Sequence, residues 1–207
     1  MAPTDRWATG ERRDGWLSSW PMSGVDRRGY EIRRFGAADW RRVRDLRLEM
    51  LADSPQAYVE SLADAKRRTD DEWRARAAWA DGPRRLGLAA VLTAVLTDVL
   101  TDVLTDEERW IAQARAGAFA DRDNRAYVFN VYVTPGFRGA GVADDLLDHA
   151  ERWAREQAHP ALFLFVHEHN ARAIAFYRRR GYQFTGAREP YLYDPSQSEL
   201  EMRLLLH

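Results

Sequence analysis

The sequence predicts a mixed α/β (α+β) architecture, a sheet with helices crossing between its strands. Three observations carry this. Tyr127 to Val133 is a run of strand-forming residues interrupted only by Asn130. Ala143 to Gln157 then places Leu146, Leu147, Ala150 and Trp153 on one side of a helix. The apolar run Leu162 to Val166 is followed by a helical segment from Ala171 to Arg180. Strands alternating with helices are the mark of sheet-to-helix crossovers.

The remaining elements follow in chain order. Residues 1–29 are rich in Gly, Ser, Pro, Arg and Asp and lack periodicity, so they read as a mobile N-terminal extension. Trp7, Trp16 and Trp20 are unusual for such a tail. They leave open an upstream stretch without a role or an arm that packs on the domain or on a neighbouring subunit. Tyr30 to Phe35 reads as a short strand. Asp39 sits where an N-cap belongs, and Trp40, Val43, Leu46, Leu48 and Leu51 give helical spacing up to Ser54-Pro55. Residues 55–69 read as a loop or a broken helix, and Asp70 to Ala80 as a helix with Trp73 and Ala77 four apart. Residues 81–108 read as a low-complexity insertion. Its core is a tandem Val-Leu-Thr-Asp repeat over 91–106. A four-residue period drifts about 40° per repeat on a helix, so the repeat is read as an expansion in a tolerant connection or, alternatively, as a dimerisation element. Arg109 to Ala114, Gly117 to Asp121, Gln183 to Gly186 and Leu200 to Leu205 read as further strands. Gly181 stands where a left-handed helix cap is expected.

Composition narrows the function classes. The 207 residues are 45% hydrophobic, 30% charged and 12% aromatic, which is a soluble globular profile. Lys and Arg total 31 against 32 Asp and Glu, so no bulk positive charge suggests a nucleic-acid partner. Cysteine is absent, which removes a disulfide scaffold, a thiolate nucleophile and a Cys-ligated zinc site, and no metal is expected. Met1 to Arg28 has no apolar core of a secretory signal. The longest apolar run, Leu86 to Thr97, falls short of the about 20 residues a spanning helix needs. A cytoplasmic protein, monomer or homodimer, without membrane or nucleic-acid partners is expected.

The stretch Val131-Tyr132-Val133-Thr-Pro-Gly-Phe-Arg138-Gly139-Ala140-Gly141-Val142-Ala143 carries chemistry. A strand ends, a glycine-containing turn follows, and a helix opens. The unpartnered N–H groups of a helix start, together with the helix dipole, form an anion site suited to a pyrophosphate. Gly139 and Gly141 permit close approach of a ligand to the backbone, and Arg138 adds positive charge. No Gly-Lys-Ser/Thr follows, so this is not a Walker loop, and the last glycine of a dinucleotide fingerprint is missing. Asp144 and Asp145 suit the dipole but would repel phosphate, so they are expected to face solvent or a positive neighbour.

A second stretch, Asn170-Ala-Arg-Ala173-Ile-Ala-Phe176-Tyr177-Arg-Arg-Arg-Gly181-Tyr182, lies downstream. Together the two resemble the GNAT superfamily of acetyl-CoA-dependent N-acetyltransferases. The first resembles the family's Q/R-x-x-G-x-G/A loop at Arg138, Gly141 and Ala143. The second resembles its N-x-x-A-x-x-F/L-Y-x-x-x-G-F/Y helix at Asn170, Ala173, Phe176, Tyr177, Gly181 and Tyr182. The resemblance spans about residues 30–207, weakly through 81–126. It implies a twisted mixed sheet splayed at its middle, with strands 127–133 and 162–166 parting around acetyl-CoA. The pantetheine arm would lie on the backbone of Val131, Tyr132 and Val133. The pyrophosphate would sit on residues 138–143, and Asn170, Ala173, Phe176 and Tyr177 would contact the cosubstrate.

The implied activity is transfer of an acetyl group to a primary amine of a small molecule or peptide. Without cysteine an acyl-cysteine route is closed, so direct attack in a ternary complex is expected. A strand N–H near Val131 would stabilise the thioester oxyanion. Tyr177 matches the position of the general acid, or packs against the thiol and only orients it. Asn170 reads first as the N-cap of its helix. The base is open. The positions where many members carry acidic residues hold Tyr127 and Phe165 here. Glu168, His167 and His169 lie in the turn before the second helix, where exposure to solvent is the plainer reading. Glu168 is the candidate base, with Glu189, Glu60 or a water relay as alternatives. Tyr58, Tyr191 and Tyr193 are candidate walls of the acceptor pocket. The alternative to an enzyme is a catalytically silent acyl-CoA-binding module; a nucleotide-binding regulator is more distant.

Overall fold

The computed structural model describes residues 29–92 and 108–207. The N-terminal tryptophans and nearly all of the Val-Leu-Thr-Asp repeat lie outside the described residues. Among the described residues seven strands form one sheet: β1 (Tyr30–Arg34), β2 (Arg85–Leu92), β3 (Trp110–Phe119), β4 (Arg125–Val133), β5 (Ala161–His167), β6 (Gln183–Tyr191) and β7 (Asp194–Leu205). Their order across the sheet is β1-β2-β3-β4-β5-β7-β6. Every neighbouring pair is antiparallel except β4 and β5. Among the described residues five α-helices flank it: α1 (Trp40–Asp53), α2 (Leu62–Arg67), α3 (Asp70–Ala78), α4 (Val142–Glu156) and α5 (Ala171–Arg179).

Both faces of the sheet are covered, by two separate cores. On one face Val142, Leu146, Leu147, Ala150, Trp153 and Ala154 of α4 pack against Leu86, Leu88, Ala90 and Leu92 of β2 and Leu162, Leu164 and Val166 of β5. That stripe recurs every three to four residues, as an amphipathic helix requires. On the other face Val43, Leu46, Met50 and Leu51 of α1 and Trp73 and Ala77 of α3 meet Ala89 and Val91 of β2. Fully burying one such leucine or valine is worth about 1.5–3 kcal/mol.

Burial on both faces explains two corrections to the sequence reading. Residues 85–92, placed within the insertion 81–108, are strand β2, because a strand buried on both faces reads as a continuous apolar run without alternation. The two short strands expected over 109–121 are one, β3, whose alanines supply small packing surface on both faces. β6 and β7 are also longer than expected, running to Tyr191 and starting at Asp194.

Helix boundaries have local causes. Thr69 caps α3 by accepting from the Glu72 amide, while Glu72 accepts in return from the Thr69 amide. Asn170 caps α5 in the same way, accepting from the Ala173 amide at 3.1 Å. Asp39 occupies the N-cap position of α1, but its side chain turns back to the Gly36 amide and to Arg33. Among the described residues no helix is long and apolar enough to cross a membrane.

Candidate active site

The functional cleft exists because two strands stop pairing. β4 and β5 are in register only at Ala126 with Leu162 and Tyr127 with Phe163. Beyond Tyr127 they diverge, and a cleft of about 430 Å³ opens between them. A bulge in β4 assists the divergence. Tyr132 pairs with Gln113 and Phe129 with Arg115, so Asn130 and Val131 together face Ala114 alone. Asn130 has φ of 54°, a left-handed conformation that asparagine adopts more readily than most residues. The splay implied by the resemblance is thus present, and Asn130, the one weak strand former in 127–133, is its pivot.

The glycine turn meets the mouth of the cleft. Gly139 and Gly141 have φ of 84° and 86°, and a Cβ built on either would point into open space. The positive φ explains the glycines, and the open space leaves a cradle in front of them. Gly141 is the N-cap of α4, so the first amides of that helix, at Val142, Ala143 and Asp144, lack intrahelical acceptors. The Val142 side chain is buried in the core, leaving its backbone to face a ligand. Ala140 is exposed. Asp144 is paired with Arg179 and Arg180, which compensates its charge, and the Tyr30 hydroxyl donates to Asp145 at 2.5 Å. Arg138 is folded back: its Nε donates to the Val133 carbonyl at 3.0 Å and its guanidinium pairs with Asp53. An anion on the turn would compete with Asp53 for it.

Of the other residues singled out from sequence, Val131, Asn170, Ala173 and Tyr177 line the cleft. Phe176 and Ala173 also pack on the α4-face core. The Tyr132 side chain is directed to the opposite face, where its hydroxyl donates to Glu49 at 3.1 Å, so only its backbone can serve the cleft. Tyr177 is 9% exposed, with its ring against Phe176 and Tyr182. Burial pushes its phenol well above the usual tyrosine range, so it keeps its proton at neutral pH.

The candidate bases separate clearly. Glu168 does not line the cleft. Its carboxylate accepts from the Ser198 amide at 2.7 Å and its own amide donates to the Ser198 carbonyl, which ties β5 to β7. Glu189 is held bidentately by Arg122. Glu60 is buried among arginines. His169 is exposed, whereas His167 closes β5 at 6% exposure, contrary to its expected place in an open turn. Its Nδ1 accepts from the His169 amide at 3.3 Å, its Nε2 has no hydrogen-bond partner among the described residues, and Tyr191 packs edge-on at 4.7 Å.

A residue outside the sequence reading completes the site. Glu199 lies opposite His167 across β5 and β7, lines the cleft, and among the described residues makes no ion pair. Burial first, and the nearby Glu189 second, raise its carboxyl above the usual range, while His167 and Arg122 act in the opposite sense. Two residues on, Glu201 accepts from the Tyr127 hydroxyl at 2.6 Å and from Thr185 at 2.8 Å. The carboxylate absent from Tyr127's own position therefore reaches that spot from β7. In the stretch Ser198-Glu199-Leu200-Glu201 the two carboxylates alternate onto one face of β7, which starts at Asp194 and not at Leu200.

Aromatic rings form the cleft wall on this side. Tyr127 stacks on Phe165 with centroids 5.7 Å apart and tilts against Phe163 and Phe119. The Arg122 guanidinium lies over the rings of Tyr127 and Phe165, at 5.4 and 5.0 Å from their centroids, and also lines the cleft.

Comparison with known proteins places this geometry. A model of the acetyltransferase (GNAT) family matches residues 58–182. Streptothricin acetyltransferase of Streptomyces lavendulae is 35% identical over 96 residues, 46% of this chain and 50% of that protein. The chain thus matches about half the length of this curated relative. Among solved structures, an acetyltransferase of the GNAT family from Streptococcus pneumoniae has a TM-score of 0.66 at 15% identity, covering 86% of this chain and 99% of that one. An acetyltransferase from Salmonella typhimurium, solved with its cofactor acetyl-CoA, has a TM-score of 0.64 at 17% identity, covering 86% and 94%. At these identities the two structures speak for the fold.

Proposed function

The chain belongs to the acetyltransferase (GNAT) family, and from that premise we propose that it moves an acetyl group from acetyl-CoA to a primary amine by direct attack. The observation that carries this reading is the divergence of β4 and β5 beyond Tyr127, with Val131, Tyr177 and Glu199 on one cleft. The residues present fit the cosubstrate. Gly139 and Gly141 leave an open cradle, and the free amides of Val142, Ala143 and Asp144 suit its pyrophosphate. Val131, Tyr132 and Val133 offer backbone along the cleft, and Asn170, Ala173 and Phe176 flank it.

Acetyl-CoA supplies an activated acyl group and a thiolate leaving group. The chain's own groups supply the rest. The Val131 amide donates to the oxygen on which negative charge gathers. Tyr177 holds a proton at its phenol oxygen, ready for the departing sulfur. Glu199 takes the proton that an alkylammonium must lose before its nitrogen can attack. His167, with Nδ1 accepting and Nε2 protonated, faces the same carboxylate. The aromatic wall of Tyr127, Phe165 and Phe119 limits water around the reacting groups. Glu168 serves this scheme by holding β7 in place, and the base role passes to Glu199.

The Streptomyces relative suggests an amine-bearing antibiotic as one acceptor class; a small-molecule or peptide amine covers the range. The test is thiol release from acetyl-CoA with pooled amines, streptothricin included, beside calorimetric binding of acetyl-CoA. Amine-dependent release supports the reading. Binding without release from any pool would turn it toward a silent acyl-CoA-binding module.

A further inference from the structure

The helix α1 buries an arginine on its core-facing side, among Val43, Leu46 and Met50. Arg47 is 3% exposed. Burying a guanidinium is costly unless it is paired and hydrogen-bonded, so its contacts deserve an account. Its Nε donates to Glu60 at 2.9 Å, and its plane lies 4.8 Å from the ring centroid of Tyr58. Its Nη1 crosses to the sheet and donates to the Asn130 side-chain oxygen at 3.1 Å. Tyr58 crosses as well, donating from its hydroxyl to the Val131 carbonyl at 3.3 Å.

Both residues of the β4 bulge are therefore held from outside the sheet. Asn130 is held through its side chain and Val131 through its carbonyl, by groups of α1 and the segment after it. A bulge held by ladder bonds alone is the loosest place in a strand, and Asn130 is already in a conformation that costs an L-residue free energy. Glu60 keeps the tether in place. It accepts from Arg68 at 2.7 Å and lies 3.2 Å from Arg76, so its charge stays compensated when one arginine is lost.

We propose that Arg47 is a positioning residue, which through Asn130 fixes the backbone at Val131 and so aligns the amide that meets the acyl oxygen. The inference rests on the acetyl-transfer reading above. It predicts a larger effect on turnover than on cosubstrate binding, since Val131 is one of several backbone contacts offered to acetyl-CoA and the pyrophosphate turn lies beyond the end of β4.

The test compares Asn130→Gly, Asn130→Asp and Arg47→Met with the unaltered protein. Glycine accepts the left-handed φ without strain, so Asn130→Gly removes the tether while the bulge still folds. The expected result is a fall in kcat of about tenfold, the order for a small misplacement of reacting groups, with the dissociation constant of acetyl-CoA within about twofold. Aspartate retains an oxygen for Arg47 and should restore most of the rate. Arg47→Met should match the glycine variant, and the double variant should lose no more than either alone. A glycine variant with kcat unchanged overturns the proposal, as does a loss that aspartate fails to restore. If the unaltered protein binds acetyl-CoA but transfers to no amine, the underlying reading fails, and the positioning role with it. If it transfers normally and the variants do too, only the tether fails.

Discussion

Replacing Tyr177 by Phe removes one oxygen from the cleft and leaves the ring's packing on Phe176 and Tyr182 intact. Thiol release by Tyr177→Phe is expected to fall about 10²-fold, the lower range for loss of a general acid, with acetyl-CoA binding retained. A purely orienting tyrosine would change binding and rate together. Glu199→Gln separates function from stability. The charged groups facing Glu199 are Glu189 from β6, His167 from β5 and Arg122 from the turn before β4. Its carboxyl binds a proton more tightly in the folded protein than in the unfolded chain. The stability this group contributes is therefore present below the ordinary carboxylate pKa and lost as pH rises through the raised value. Turnover shows the opposite trend, rising as the carboxylate forms. Glutamine should abolish that limb of the rate profile while raising the melting temperature at neutral pH. Melts below about pH 4 should show little difference between the two proteins. A variant that is both slower and less stable at neutral pH would argue that Glu199 is structural.

At the level of elements, the turn between β4 and α4 carries the sharpest expectation. Gly141→Ala forces a Cβ into a left-handed residue, costing about 1–2 kcal/mol, with no neighbour to clash against. The loss should appear as a lower melting temperature together with a higher KM for acetyl-CoA, measured by calorimetry and initial rates. This turn was legible from sequence because its residues are dictated by backbone geometry. Gly139, Gly141 and the Asn170 cap are each the residue type their φ or hydrogen bond requires. α4 was legible for a similar reason, since its apolar stripe repeats with the helix. The face of β7 was not. Its alternation runs through Glu199 and Glu201, and acidic residues on an inward face look like solvent-exposed positions until His167 is set opposite Glu199 and the Tyr127 hydroxyl reaches Glu201. β2 was hidden because burial on both faces erases the period of two. Arg47 was hidden because a helical pattern names apolar positions only.

Across the whole molecule, one carboxylate gathers three arginines of the helical layer, of which Arg47 reaches the sheet at Asn130. Burial would raise the Glu60 carboxyl, but Arg76, Arg68 and Arg47 hold it below the usual range. Its folded value is depressed, so its contribution is present above the ordinary carboxylate pKa and is lost as pH falls through the lowered one. Glu60→Gln should destabilise the protein at neutral pH by about 3 kcal/mol, as removal of one partner from a buried ionic cluster does. It should also flatten the acid limb of stability in urea titrations run at successive pH values. An unchanged acid limb would show that other carboxylates dominate it.

The parting of β4 from β5 has a consequence outside catalysis. A strand flank without a partner is where a foreign chain can add itself, and most proteins confine that hazard to the rim of a sheet. Here the exposed flank begins after Tyr127, in the middle of the sheet. A regular row of amides and carbonyls there would recruit any extended segment, including one from a second copy. The left-handed Asn130 breaks that row within three residues of its start, and the Tyr58 hydroxyl caps the Val131 carbonyl. The irregularity that fits the cleft for a ligand thus also leaves this flank without the regular ladder that strand addition needs.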